Sequence, residues 1–235
     1  MPDVTVYDIA AQLPSIGVLR QRCKALAVLD AIIGGDYYTY DRAWGAAEAG
    51  AMRNGSGEEY DIVFTAGGAF IRGVYHESPM FEHTDGRLWP GLLDGLPEVF
   101  QSQVTEPAFG HPDGTLNASF VLWRSASDKQ WHAGNDIDFS PADDEETDPD
   151  GSWLLDILFD DIAEKYCEHA EEVYEVGLPP SAVRHVTAFL PLTDVLIRAL
   201  NPQTDPAYVR AQAEKLGYPL AAVTNQGSAP ARSTR

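Results

Sequence analysis

Positive charge is what this chain has least of. Its 16 Lys and Arg stand against 36 Asp and Glu, a formal net charge of −20. A phosphate backbone is bound by Lys and Arg clustered on one face, so the balance argues against nucleic acid as a partner. Anionic membrane surfaces are disfavoured for the same reason. The lysines are four, Lys24, Lys129, Lys165 and Lys215, which leaves little material for Schiff-base or phosphoryl-transfer chemistry. No apolar run reaches the roughly 18 residues that a membrane-spanning helix needs. Met1-Pro2-Asp3-Val4 has no basic segment leading into an apolar one, so no secretion signal is expected. The two cysteines, Cys23 and Cys167, both sit on helical patterns among apolar neighbours, and buried free thiols are expected in place of a disulfide or a reactive pair. A reducing, cytoplasmic setting follows from that reading.

What is present points to a folded body. The apolar fraction is 44% and the charged fraction 22%, ordinary values for a globular chain. Residues 15–33 carry a helical apolar stripe with Ser15 as its cap and Gly34-Gly35 as its stop. Tyr37-Tyr38-Thr39-Tyr40 suits a strand, and the small-residue stretch 46–53 reads as a short helix. Alternation over 60–65, Gly67-Gly68, and a returning run over 70–75 predict a β-hairpin. A second hairpin is predicted between 118–124 and 130–139. A short helix is expected over 97–104. From residue 152 onward the pattern is helical: 153–159, then 161–176 opened by an Asp161/Glu164 capping box, then helices capped by Ser181, Thr193 and Asp205.

Hairpins in place of β–α–β units predict an α+β fold: antiparallel hairpins forming a sheet, with an N-terminal helix and a helical C-terminal part packed against it. The expected organisation is one domain over 1–220 and a disordered tail over 221–235.

The negative charge is concentrated. Between Asp136 and Glu175 there are sixteen acidic residues and one basic residue, Lys165. This predicts either a solvated face that keeps the protein soluble or a docking surface for a basic partner. The residues expected to carry docking are Asp143, Asp144, Glu145, Glu146, Glu164, Glu168, Glu171 and Glu172. Homo-oligomerisation stays open.

A second candidate is the 76–85 connection, which gathers His76, Glu77, Ser78, Glu82, His83 and Asp85 directly after a strand. Imidazole with carboxylate suits zinc and related ions, so His76, Glu77, His83 and Asp85 are candidate metal ligands. With His132 and the acids Asp128, Asp136 and Asp138 of the second hairpin they could serve a metal-dependent hydrolase, His76, Glu77, His83 and His132 being its candidate catalytic residues. The spacing is not H-E-x-x-H, and no cofactor is predicted beyond that open divalent metal. The 143–151 acidic loop fails as an EF-hand, because aligning Gly151 leaves Ile157 where a bidentate Glu is required. No P-loop follows Gly55-Ser56-Gly57, and no G-x-S-x-G elbow exists around Ser78. Trp89, Trp123, Trp131 and Trp153 read as packing residues before a ligand cage.

Several stretches together resemble a family of bacterial proteins to which no activity attaches. They are 55–60 (GSGEEY), 73–78 (GVYHES), 89–91 (WPG), 106–109 (EPAF), Trp123-Arg124 with Asp128 and Trp131, 148–152 (DPDGS) and 217–219 (GYP). The resemblance implies one coherent domain, with His76-Glu77-Ser78 among its marks. The leading functional expectation is a non-enzymatic interaction protein of immunity or regulatory type that docks a basic partner through 136–175. The immunity analogy rests on class alone.

Overall fold

A computed structural model describes residues 4–82, 88–139 and 149–222, without the side chains of residues 81 and 82. His83 and Asp85, the acidic residues Asp143, Asp144, Glu145 and Glu146, and the tail from residue 223 lie outside the described residues.

Two helices open the chain, α1 (Val6–Gln12) and α2 (Ile16–Ile33). Four strands follow, β1 (Tyr38–Trp44), β2 (Ala47–Arg53), β3 (Glu59–Thr65) and β4 (Gly68–Val74). Short helical pieces come next: α3 (Pro79–Glu82), a 3-10 turn at Glu98–Phe100 running into α4 (Gln101–Val104), and another 3-10 turn at Pro107–Phe109. After β5 (Phe120–Ser125) and β6 (His132–Ala133) come a 3-10 helix, Ser152–Leu158, and four α-helices. These are α5 (Ile162–Tyr174), α6 (Pro180–Thr187), α7 (Asp194–Leu200) and α8 (Pro206–Leu216). The fold is α+β: one six-stranded antiparallel sheet in the order β1-β2-β3-β4-β5-β6, with the N-terminal and C-terminal helices packed on it.

The predicted hairpin is β3–β4, closed by Thr65 opposite Gly68, so the two-residue loop is Ala66-Gly67. The second hairpin is β5–β6, much shorter on its return side than the pattern suggested. Residues 46–53 do not form a helix. They are β2, paired to both β1 and β3. Gly50 lies directly against α2, where an added Cβ would stand 2.9 Å from the Cβ of Cys23, while Ala47 packs on the opposite side of the sheet. Packing clearance overrides local propensity at this strand.

The polar alternation expected of β3 is absent as well, because both faces of the sheet are covered. Ile62 and Phe64 join the main core beneath α2, α5, α6 and α8, whereas Val63 joins a second cluster with Phe70, Phe100, Phe109, Val121 and Trp123. Charges on that second face are therefore paired. Arg72, 2% exposed, bridges Glu59 and Asp61 and lies 5.0 Å over the ring of Phe109. Arg53 closes the cluster at 2.9 Å from Glu59 and 2.7 Å from Asp61.

Some caps differ from expectation. Thr193 and Asp205 cap α7 and α8 as predicted, accepting from Leu196 N and Ala207 N. Ser181 lies inside α6, whose N-cap is Pro179. Asp161 occupies the N-cap of α5 without capping it, because its carboxylate turns to Lys165 (3.5 Å) and Glu164 turns to Arg184. At the other boundary Ala221 is still anchored, its N–H donating to Leu192 O and its carbonyl accepting from Arg210. No helix among the described residues is long and apolar enough to cross a membrane.

Candidate functional site

Of the 76–85 candidates, His76 and Glu77 lie together, His76 Nε2 standing 4.0 Å from Glu77 Oε1, and His83 and Asp85 lie outside the described residues. His76 Nδ1 stands 2.6 Å from Glu58 Oε1, and Asn54 holds the same carboxylate from the other side. Glu77 accepts from the hydroxyl of its near neighbour Tyr75 at 3.1 Å. Ser78 is fully buried, donating to Pro149 O at 2.5 Å and accepting from Met80 N. His132 faces Asp128 across its own turn at 3.6 Å, and Asp128 also accepts from Ser125 N. His132 is level with Trp123 and Phe70 in the sheet register, whereas His76 lies beyond Val74. That puts His76 at least roughly 13 Å further along the strands and two strands across. His76 and His132 do not converge: His76 is engaged by Glu58 of the β2–β3 connection and His132 by Asp128 of its own turn. Among the described residues no three His, Cys, Asp or Glu side chains are grouped to hold a metal ion.

Two of the stretches singled out in the sequence, 73–78 and 148–152, meet in one buried hub. Beside the Ser78–Pro149 bond, Ser119 Oγ donates to Asp150 O at 2.7 Å, and the buried Asp150 carboxylate accepts from Val6 N and Ser152 N at 2.8 Å each. Gly151 has φ +78°, and any Cβ there would collide with Tyr75. The hub ties the start of α1 to the ends of β4 and β5.

The acidic segment divides into engaged and unengaged groups. Asp150 belongs to the hub. Asp156 and Asp161 flank Lys165 at 3.1 and 3.5 Å, Asp160 pairs with Arg22 at 2.6 Å, and Glu164 takes two bonds from Arg184 at 2.7 and 2.9 Å. Those bonds, with the α5 backbone, hold the Glu164 carboxyl below its usual range. Arg22 and Arg184, distant in sequence, thus pair with part of the acidic segment. Glu168, Glu171 and Glu172 on α5 are exposed, and among the described residues no cation pairs with them.

Beside them is a hollow of about 390 Å³ between α5, the 152–158 helix and the start of β1. Tyr37, Tyr38 and His169 line it on one side and Trp153, 44% exposed, on another, while Glu168 and Glu172 stand at α5. One buried carboxylate fixes this corner. Asp30, at the end of α2, accepts from Tyr166 OH at 2.7 Å, Tyr38 N at 2.8 Å and Tyr174 OH at 3.2 Å. Burial pushes its pKa up, and those bonds pull the other way. His169 is ringed by Tyr37, Tyr38, Tyr174 and Tyr166, with centroids 5.0, 5.2, 5.4 and 5.9 Å away. Its Nε2 is occluded and has no hydrogen-bond partner among the described residues, and burial lowers its pKa from 6.5 to about 4.

The sequence reading missed this hollow, treating Trp153 as packing and Tyr37-Tyr38 as strand only. A signal was present: Lys165, Glu168, His169 and Glu172 recur at i, i+3, i+4 and i+7, a polar stripe on one side of α5. The hollow's carboxylates and aromatic rings have the chemistry that suits a cationic group, and among the described lining residues there is no nucleophile–base pair. Compared with protein-family models, with curated proteins and with solved structures, the chain matches none.

Proposed function

We propose that this chain is a non-enzymatic interaction protein that docks a basic partner through the exposed side of α5, in an immunity or regulatory role. The observation that carries the reading is the row Glu168, Glu171 and Glu172, left without a pairing cation among the described residues, although neighbouring acids are matched by Lys165, Arg22 and Arg184. Exposed Trp153 and Val173 beside the row add apolar area that a partner can cover. Such a face speeds encounter with a positive surface and discriminates against acidic ones, more than it adds raw affinity.

The test is affinity capture from the native host followed by titration of the purified partner. The expected partner has a high isoelectric point. Raising salt from about 0.05 to about 0.5 M, beyond which exposed charges hardly sense each other, should release it. The variant E168Q/E171Q/E172Q should bind at least roughly ten-fold more weakly, as expected for lost charge-assisted contacts. Binding that is indifferent to both salt and the triple substitution would remove the reading.

A further inference from the structure

We propose that the hollow beside α5 seats an arginine side chain of the basic partner; this rests on the docking reading above and deepens it. Carboxylates alone would mark only a solvated rim. Here they border a space of definite size, about 390 Å³, with aromatic rings from two other elements on its walls. A guanidinium is planar, weakly hydrated and forked. It stacks on aromatic faces while its N–H groups reach carboxylates, a combination that an ammonium meets less well.

The local charge agrees with that occupant. The hollow is bordered by Asp156, Glu168 and Glu172 against Lys165. Lys165 is already satisfied by Asp156 Oδ2, Asp156 O and Asp161, and its Nζ lies 5.1 Å over the Phe159 ring. It is an internal example of a cation held between acid and aromatic ring at this same corner. Glu168 and Glu172, one helical turn apart, remain for an incoming charge. His169 adds no opposing charge near neutral pH, since burial keeps it unprotonated there. The rings cannot easily fold away to fill the space, because the Tyr38 ring packs on Tyr166 and His169 and the Tyr37 ring on His169 and Tyr174.

The probe is N-acetyl-arginine amide, with N-acetyl-citrulline amide as the uncharged isostere. Each is titrated into the full ¹⁵N-labelled chain while the Trp153 indole N–H, assigned by its loss in W153F, is followed by NMR. The arginine amide should move that signal saturably, and citrulline should need at least roughly ten-fold more ligand, as should the arginine amide with E168Q/E172Q. An unmoved Trp153 signal, equal response to both amides, or no effect of E168Q/E172Q each overturns the assignment. None of these outcomes requires the partner, so the hollow can fail while salt-sensitive capture by α5 succeeds. If capture also fails, the docking reading falls with it.

Discussion

His169 and Asp30 lie within one tyrosine-lined corner and respond to acid in opposite senses. His169 has a folded pKa of about 4 against an ordinary 6.5. Between those values the unfolded chain takes up a proton that the folded chain refuses, so the contribution of neutral His169 is present above pH 6.5 and is lost as pH falls towards 4. Asp30 is raised above 3.8, so its contribution is present below that value and is lost as pH rises through the higher folded one. Near pH 5 the histidine effect has developed, and H169Q isolates it from every other titrating group. Urea midpoints at pH 7 and pH 5 should fall more for the natural chain than for H169Q; equal falls would mean that His169 is not held neutral. Neither residue's environment was legible from its neighbours. His169 is surrounded by Tyr37, Tyr38, Tyr166 and Tyr174, which come from both sides of a long stretch of chain.

At the scale of elements, what the sequence showed and what it hid separate by the reach of the interaction. The β3–β4 hairpin, the span of α2, and the caps at Thr193 and Asp205 depend on turn chemistry and side chains within a few residues, and all were readable. Strand β2 was not, because Gly50 answers to the close approach of α2 and Ala47 to the layer on the sheet's other side. Glu59, Asp61 and Arg72 look like ordinary strand polarity in one dimension, yet they form a covered cluster because the second layer over Phe70 and Phe109 closes that face. Truncating a partner of a buried ion cluster leaves uncompensated charge, and R72A should cost about 3–5 kcal/mol by chemical denaturation. A cost under about 1 kcal/mol would show that water reaches Asp61 and Glu59 and that the second face is open. The acidic candidate was half readable for the same reason. Counting charges along 136–175 found Glu168, Glu171 and Glu172 but could not foresee that Arg184 and Arg22 arrive to neutralise Glu164 and Asp160.

For the molecule as a whole, a charge of −20 on 235 residues is a standing self-repulsion. Added salt screens exposed charges while barely touching the covered Arg72 cluster, so stability should increase with ionic strength. A Tm rise of about 2–4 °C between low salt and roughly 0.3 M NaCl corresponds to about 1 kcal/mol for a chain of this length. A flat or falling Tm would mean that the exposed ion pairs outweigh the repulsion. The strand order carries a consequence for synthesis. Because each strand pairs with the one made just before it, the sheet can be laid down in step with translation. The Tyr7–Gly134 and Val6–Asp150 bonds obey a different clock: the first helix gains its first anchor only with residue 134 and its last only with residue 150, so a nascent chain halted before residue 134 carries its opening segment without either.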